Sequence, residues 1–363
     1  GWRKTFRFSP SPLKLLEKKV AQRADILKKP LVGGTNIEGN CTTSESSDLS
    51  PIYPLNLCHS GIFGNTIQYT LYQEPMNILI IDELHSSIEP LLQGIGVQYD
   101  YRPEISPQEV EEILPEYEGL ILRSKVTREI LETTVKLRFI ARAGAGVDEI
   151  SEGYLQQRGI TLLNAPEGNR DAVGEHTLGM LLTLFNKINS GNATVRQRQW
   201  LREAHRGLEV KGKTVGLIGY GNMGQAFAQR LSGFECEVLA YDKYKINYGN
   251  LFAKEASLEE LFEKADILSL HTPLTPETRG MVDKGMLRRF EKNIYLINTA
   301  RGPIVPLADL AEVMKEGKVL GAGLDVLENE KLQTLTPQQE KSLSWLMEQP
   351  NVLFTPHVGG WTV

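Results

Sequence analysis

The chain has few cysteines, no long apolar run and no strong excess of charge of one sign. Its three cysteines, Cys41, Cys58 and Cys236, match neither a disulfide framework nor the spacing of zinc ligands. No apolar stretch is long enough to span a bilayer. The net charge of -5 gives no general attraction to nucleic acid or to anionic membranes. We therefore expect a cytoplasmic protein without a metal site and without a nucleic-acid or membrane partner.

The first 75 residues differ in composition from the rest of the chain. Nine Lys or Arg fall within the first 29 residues, and residues 33–54 are rich in Gly, Ser, Thr, Asn and Pro. Such a composition buries too little apolar surface to offset chain entropy, which predicts a disordered or non-native extension. An organelle-targeting segment is the alternative, because such segments are rich in Arg and Ser and poor in acid. The start at Gly1, and the position of Met76 just before a strand, favour the extension.

From Met76 onward, short apolar runs alternate with amphipathic stretches. Residues 77–81 suit a buried strand, residues 107–114 have a helical period, and a longer helix is predicted over 171–189. This alternation predicts an α/β protein whose parallel sheets are covered by helices on both faces. The predicted limits are a first domain over 76–173, a second over 174–357, and a return to the first over 358–363.

A glycine-rich turn follows the apolar run at residues 214–218. Gly219 suits a tight turn, Gly221 lets backbone approach a pyrophosphate, and Gly224 lets helix and strand pack closely. A helix and a second strand follow, and Asp242 lies eighteen residues after Gly224. A carboxylate there accepts hydrogen bonds from the ribose of NAD and repels a 2'-phosphate. The spacing predicts an NAD site rather than the alternative, a glycine-rich turn in another kind of α/β protein.

Three later strands end in charged or titratable residues. Arg301 follows one strand, a group of acids ending at Glu330 follows the next, and His357 follows the last. An arginine can clamp a carboxylate, and oxidation of a 2-hydroxy acid also needs a base for the hydroxyl proton. Taken alone, each side chain is explained as a surface ion pair, a loop acid or a loop histidine. Their joint placement at strand ends favours a catalytic site.

Beyond Met76 the chain resembles the D-isomer-specific 2-hydroxyacid dehydrogenases, and among them most resembles the D-3-phosphoglycerate dehydrogenases. The resemblance rests on the glycine fingerprint together with six further motifs. These are Ala-Arg-Ala-Gly-Ala-Gly-Val-Asp at 141–148, Asn-Ala-Pro-Glu-Gly-Asn at 164–169, His-Thr-Pro-Leu-Thr at 271–275, Asn-Thr-Ala-Arg-Gly at 298–302, Leu-Asp-Val at 324–326 and Thr-Pro-His-Val-Gly-Gly at 355–360.

The resemblance implies that His357 takes the hydroxyl proton, that Glu330 orients and charges it, and that Arg301 binds the substrate. Glu328 is a nearby alternative to Glu330, although the five-residue step from Asp325 favours Glu330. The implied cofactor-binding residues are Gly219, Tyr220, Gly221, Asn222, Met223, Gly224, Asp242, His271, Thr272, Pro273, Thr299, Ala300 and Asp325, where Asp325 would bind the nicotinamide amide. The implied substrate-binding residues are Arg123, Gly144, Ala145 and Gly146. His176 also fits the family pattern, with polar contacts at a helix start as the alternative explanation.

The resemblance further implies a flavodoxin-like substrate domain, a Rossmann NAD-binding domain and a homodimer built around the long helix and residues 194–208. The expected substrate is a small 2-hydroxy or 2-oxo acid, with 3-phosphoglycerate of serine biosynthesis as the first choice. A basic pocket around Arg123 and Lys125 would favour this phosphorylated substrate.

Three alternatives to that function remain open. The first is reduction of glyoxylate or hydroxypyruvate, and the second is an NAD-sensing binding protein like the co-repressors of this fold. Because the chain stops at Val363, we also expect the part that completes the substrate domain to be missing. A folded cofactor domain with an incomplete active site is therefore the third alternative.

Overall fold

A computed structural model describes residues 76–84, 86–94, 97–124, 127–147 and 152–362. The predicted extension over 1–75 lies outside this range, as do Lys125 and Asp148. The described residues divide into two compact units. The first comprises 76–143 and 152–163, and the second comprises 144–147 and 164–362. The sequence predicts the limit between them at residue 173.

The first unit is built on a five-stranded parallel sheet with the order β2-β1-β3-β4-β5. β1 pairs in parallel with β2 and β3, and is buried from Ile78 to Ile81, whereas β2 at the sheet edge alternates between exposed and half-buried residues. This strand order is that of flavodoxin-like folds. The strands are β1 Asn77–Ile81, β2 Gln98–Arg102, β3 Gly119–Leu122, β4 Phe139–Arg142 and β5 Thr161–Asn164, and the helices are α1 Ile88–Gly94, α2 Pro107–Ile113, α3 Arg128–Glu132 and α4 Glu152–Gln157.

The second unit is built on a seven-stranded parallel sheet with the order β12-β11-β10-β9-β6-β7-β8. Its strands are β6 Thr214–Ile218, β7 Glu237–Tyr241, β8 Lys254–Glu255, β9 Ile267–Leu270, β10 Ile294–Asn298, β11 Val319–Leu324 and β12 Val352–Phe354. Its helices are α5 Arg170–Phe185, α6 Ile188–Arg196, α7 Asn222–Arg230, α8 Leu258–Lys264, α9 Lys284–Arg288, α10 Leu307–Lys315 and α11 Pro337–Met347. Short 3₁₀ turns lie at Leu114–Glu116, Glu203–His205, Leu231–Gly233, Gly302–Ile304 and Leu332–Thr334. None of the described helices combines the length and the apolar character needed to cross a membrane.

The order of this second sheet is that of a Rossmann fold with one further strand beyond β11. The prediction of two doubly wound parallel sheets is thus confirmed. The central strands are mostly apolar, and Leu217, Leu268 and Leu296 are fully buried on them. Ligands of such sheets bind beyond the carboxyl ends of the strands. The residues just after β6, β9, β10 and β11 are Gly219, His271, Thr299 and Asp325.

The long helix predicted over 171–189 is divided in the structure. It ends at Phe185, because Lys187 adopts a left-handed conformation with φ of 49°, and α6 begins at the next residue. α5 packs closely on α7, where a Cβ at Gly174 would lie 3.0 Å from the backbone of Ala226. α6 buries none of its side chains within the described chain.

Two further helices differ from the predictions. The sequence over 278–290 predicts one helix, but the structure has only α9 there, because Gly280 has a φ of 64° and donates its backbone N–H to the carbonyl oxygen of Pro303. α11 was not predicted at all. Its start has a capping box, in which the Thr336 hydroxyl accepts from the backbone of Gln339 and the Gln339 side chain accepts in return. It buries only two leucines, Leu343 and Leu346, so its apolar period is weak.

Candidate active site

The backbone of the loop between β6 and α7 shows why glycine suits each of the three positions. Gly219 has a φ of 93°, and a Cβ there would lie 2.6 Å from the carbonyl oxygen of His271. A Cβ at Gly224 would overlap the carbonyl oxygen of Gly219. Gly221 faces open space where its Cβ would stand, so a ligand can approach the backbone there. The nine-residue helix α7 begins at Asn222 and presents its positive end to this space.

Asp242 is tied to the glycine-rich loop. Its Oδ2 accepts from the backbone N–H of Tyr220 at 2.9 Å, which fixes the carboxylate beside the loop. The Tyr248 hydroxyl is inserted at the end of β7, where it donates to the carbonyl oxygen of Ala240 and accepts from the N–H of Asp242. Tyr220 is fully buried and donates its hydroxyl proton to Asn250. These contacts place a carboxylate at the position where a ribose is bound in dinucleotide domains.

Two buried polar atoms at the end of β9 fit a site that holds a polar ligand. His271 Nδ1 and Thr272 Oγ1 are buried and have no hydrogen-bond partner among the described residues. Burial lowers the pKa of His271 to about 3, so this ring is neutral and cannot serve as a proton carrier near neutral pH. Buried polar atoms without partners are rare in proteins. Together with the space over Gly221, they match the demands of a bound dinucleotide, and Pro273 continues the same loop.

Replacing Gly224 by Ala is expected to weaken NADH binding about tenfold or more, because the added methyl group must displace the turn at Gly219. Gly233→Ala is the matched control, since a Cβ at Gly233 would meet no atom within 4 Å. Fluorescence titration with NADH measures both variants. Equal NADH affinity of Gly224→Ala and Gly233→Ala would show that the close packing at Gly224 does not shape the cofactor loop.

Arg301 lies in a tightly packed loop after β10. The buried Asn298 side chain donates to the carbonyl oxygen of Arg301 at 3.0 Å and accepts from the N–H of Ala300 at 3.1 Å. A Cβ at Gly302 would overlap the carbonyl oxygen of Leu327, so this loop lies directly against the loop after β11. The strand ends predicted to act together are thus in contact.

The Thr299 side chain is held by α5. The buried Thr177 hydroxyl donates to the carbonyl oxygen of Val173 at 2.7 Å. Because that proton is used, the 2.9 Å contact between the Thr177 and Thr299 hydroxyls has Thr299 as the donor. The long helix therefore fixes the side chain that precedes Ala300 and Arg301.

His357 and Glu330 form a close pair. His357 Nδ1 lies 2.9 Å from Glu330 Oε1 and 3.1 Å from Oε2, with both side chains 48% exposed. The hydrogen bond that His357 donates to Glu330 is the main cause that raises the pKa of His357, while burial and the charge of Arg301 act in the opposite direction. The imidazolium form is therefore stabilised within electrostatic range of Arg301.

The alternative carboxylate, Glu328, has other partners. Its Oε2 accepts from the backbone N–H of Leu307 at 2.9 Å, and its Oε1 accepts from the Gln339 side chain at 3.0 Å. Glu328 thus caps the start of α10 and ties it to α11. The geometry favours Glu330 as the partner of His357.

Asp325 is the polar centre of the His357 loop, and it is only 2% exposed. Its Oδ1 accepts from the Thr355 hydroxyl at 2.6 Å and from the N–H of Val358 at 3.0 Å, and lies 3.2 Å from His176 Nε2. Its Oδ2 accepts from the N–H of Gly359 at 2.9 Å. Because Oδ1 is fully used, the predicted contact with a nicotinamide amide would fall to Oδ2. His176 therefore belongs to a network around Asp325.

The backbone of His357 is held in an unusual conformation. Its φ is 56°, in the left-handed region that costs a residue other than Gly about 1 kcal/mol or more. The His357 N–H donates to the carbonyl oxygen of Asp325 at 2.7 Å and to that of Thr355 at 3.0 Å. Such conformations cluster at functional sites, where the surroundings impose them.

The residues predicted to bind substrate fall in both units. Gly144, Ala145 and Gly146 belong to the second unit, where the Gly144 carbonyl accepts from Ala165 N–H at 3.1 Å. The Ala145 carbonyl accepts from the Asn164 side chain at 2.8 Å. Arg123 belongs to the first unit, exposed at the carboxyl end of β3. The roles of all these residues stay predictions.

Comparison with known proteins finds a matching family and several similar proteins. The model of the family described as "D-isomer specific 2-hydroxyacid dehydrogenase, NAD binding domain" matches residues 178–359. A D-3-phosphoglycerate dehydrogenase of Archaeoglobus fulgidus is 33% identical over 291 residues, covering 79% of this chain and 54% of that protein. A hydroxypyruvate reductase of Thermotoga maritima is 35% identical over 260 residues, covering 71% of this chain and 83% of that protein.

Among solved structures, a D-lactate dehydrogenase of Aquifex aeolicus in complex with NAD and lactic acid is similar. It has a TM-score of 0.67 and 26% sequence identity, and the match covers 79% of this chain and 91% of that one. The chain spans about half the length of the phosphoglycerate dehydrogenase relatives it matches. The glycine-rich loop and the match over 178–359 show an NAD-binding domain. The chain belongs to the family of D-isomer-specific 2-hydroxyacid dehydrogenases.

Proposed function

We propose that the chain transfers a hydride between a D-2-hydroxy acid and NAD. The observation that carries this proposal is the close His357–Glu330 pair, within electrostatic range of Arg301, in the same unit as the glycine-rich cofactor loop. Oxidation of a 2-hydroxy acid requires an acid/base and a cation in one site. NAD, when bound, supplies the hydride acceptor.

Each member of the proposed site has its own role. His357 removes the hydroxyl proton during oxidation and returns it during reduction. Glu330 keeps the imidazole oriented through Nδ1, which leaves Nε2 for the substrate. Arg301 binds the substrate carboxylate and polarises the neighbouring carbonyl oxygen. Gly144, Ala145 and Gly146 would hold the same carboxylate through backbone N–H groups.

The raised pKa of His357 predicts opposite pH profiles for the two directions. Oxidation requires neutral imidazole, so kcat/KM for the hydroxy acid rises with pH through a midpoint above 6.5, the ordinary pKa of histidine. Reduction requires the imidazolium, so kcat/KM for the oxo acid falls through the same midpoint. Glu330→Gln moves both midpoints to lower pH, because the largest cause of the raised pKa is removed. Steady-state rates between pH 5 and 10 measure this, with Glu328→Gln as the matched control. Identical midpoints in wild type and Glu330→Gln would contradict the role of Glu330.

For the substrate we propose 3-phosphoglycerate, oxidised to 3-phosphohydroxypyruvate in serine biosynthesis. The support is the set of D-3-phosphoglycerate dehydrogenases at 33% to 36% identity, with Arg123 as the residue to bind the phosphate. Reduction of hydroxypyruvate or glyoxylate is the second candidate, because a hydroxypyruvate reductase is 35% identical to this chain and the match covers 83% of that protein. The test is kcat/KM for 3-phosphohydroxypyruvate and for hydroxypyruvate with NADH, in wild type and Arg123→Gln. A phosphate preference that Arg123→Gln removes supports the first candidate, and a preference for hydroxypyruvate supports the second.

We also propose a homodimer formed around α6 and the residues after it. Apolar side chains are exposed there although the surrounding sequence is polar, and such patches are typical of interfaces. They are Ile188, Val195, Trp200, Leu201 and Leu208. Sedimentation of wild type and Trp200→Ser measures this association.

A cytoplasmic location stays a prediction from the cysteine content. The alternative function, an NAD-sensing binding protein, would show NADH binding without turnover.

A further inference from the structure

The loops that follow β7 and β9 are joined by side chains across the cofactor-binding edge of the sheet. β7 and β9 are the two neighbours of β6. A contact between the loops after them therefore passes over the carboxyl end of β6, where the glycine-rich loop begins at Gly219. This is the half of the site in which Asp242 is predicted to bind the ribose of the adenosine.

Glu277 makes this contact with both of its carboxylate oxygens. One forms an ion pair with the ammonium group of Lys243, and the other accepts from the Tyr244 hydroxyl at 2.6 Å. The Lys243 ammonium also lies 5.7 Å from the centre of the Tyr244 ring. The Lys243 and Glu277 side chains are about half exposed, so solvent and a ligand can both reach the pair.

The second lysine after Asp242 is also held. Lys245 Nζ donates to the carbonyl oxygen of Tyr220 at 2.7 Å, within the glycine-rich loop. The Asp242 carboxylate accepts from the N–H of Tyr220 and from that of Tyr244 at 3.1 Å. Two cations thus flank the ribose-binding acid, and each is already paired with an oxygen of the protein.

We propose that Glu277 is a second determinant of the preference for NAD over NADP, because it withholds Lys243 from a 2'-phosphate. A 2'-phosphate carries a charge of about -2 and needs a cation close to the ribose. With Lys243 paired to Glu277 and Lys245 bonded to the carbonyl oxygen of Tyr220, the phosphate meets the carboxylates of Asp242 and Glu277 while both nearby ammonium groups are engaged elsewhere. Without Glu277, Lys243 is free to turn towards the ribose. This inference rests on the cofactor site of the proposed function and adds a selectivity residue to it.

The test uses two ligands that differ only by the phosphate in question, 5'-AMP and 2',5'-ADP. Their dissociation constants are measured by displacement of NADH from the full chain, in wild type, Glu277→Gln and Glu277→Gln/Lys243→Gln. Glu259→Gln is the matched control, because Glu259 is an exposed carboxylate of the same unit that pairs with Arg289. It changes the net charge by the same amount at a remote position.

Glu277→Gln is expected to tighten 2',5'-ADP about tenfold and to change 5'-AMP less than about twofold. Lys243→Gln in the same chain removes the gain, Glu259→Gln shows none, and the gain shrinks as salt is raised. An unchanged ratio of the two dissociation constants in Glu277→Gln would overturn the inference while leaving the cofactor site intact. The inference would also be overturned if Glu277→Gln/Lys243→Gln still bound 2',5'-ADP more tightly than wild type. Failure of wild type to bind NADH would instead overturn the cofactor site, and this inference with it.

Discussion

Replacing His357 by Asn is expected to lower kcat for hydride transfer about a thousandfold while NADH binding stays unchanged. A positioned acid/base contributes on the order of 10² to 10⁴ in rate, and Asn has no group that titrates near neutral pH. Asn is the right substitution because His357 has a φ of 56°, and Asn tolerates the left-handed region better than Ala. Steady-state kinetics and NADH titration on the same preparation separate chemistry from binding.

His205→Asn is the control for this substitution. His205 is a histidine of the same unit that bonds the carbonyl oxygen of Leu201 through Nδ1 and lies in a short 3₁₀ turn. It is expected to change kcat less than about twofold, as surface substitutions usually do. A His357→Asn variant that retains a tenth or more of the wild-type kcat would remove His357 from the role of acid/base.

Replacing Asp325 by Ala is expected to lower the free energy of unfolding by about 3 kcal/mol, because three donors lose their acceptor. These donors are the Thr355 hydroxyl and the N–H groups of Val358 and Gly359. The Asp325 carboxylate is only 2% exposed, so water does not easily take its place as the acceptor of these hydrogen bonds. Chemical denaturation followed by fluorescence measures the change. Activity is expected to fall as well, because the same contacts fix the His357 loop.

Two further variants make this prediction specific. Asp325→Asn keeps the shape and one acceptor oxygen, so it is expected to lose less stability than Asp325→Ala. Glu259→Ala removes an exposed carboxylate paired with Arg289 and is expected to leave the stability nearly unchanged. If Asp325→Ala unfolds at the same denaturant concentration as wild type, the network does not stabilise the loop.

The glycine-rich site could be predicted from sequence because its physical requirements are local. The turn, the backbone approach and the close packing each need a glycine at a fixed step within six residues, and Gly219, Gly221 and Gly224 meet them. The acid at the end of the next strand follows the same logic, since parallel neighbours end at one edge. The alternation of apolar runs predicted both sheets, because most of their strands are short and buried.

The partners of Asp325 could not be predicted in the same way. His176 comes from α5, while Thr355 follows β12, so the network joins side chains that are distant in sequence. No fixed spacing marks such a contact. The sequence therefore predicted Asp325 as a cofactor contact, and the structure shows that it also anchors the loop of His357.

The Glu277 bridge and α11 were missed for different reasons. Lys243 and Glu277 are exposed charges, and the sequence does not show that two loops separated by β8, α8 and β9 meet. α11 carries its start signal at Thr336 and Gln339, but only Leu343 and Leu346 are buried, so no apolar period stands out. The left-handed residue Lys187, which divides the long helix, has no local signal, since glycine is the usual residue there.

Hydride transfer between a D-2-hydroxy acid and NAD is tested most simply by reduction of 3-phosphohydroxypyruvate, hydroxypyruvate and glyoxylate by NADH, with chiral analysis of the product wherever it has a stereocentre. We expect turnover of at least one of these oxo acids, a product of D configuration, and loss of turnover in His357→Asn. NADH binding without turnover on any of the three would contradict the proposed function. So would turnover that persists in His357→Asn, because the proton would then come from another group.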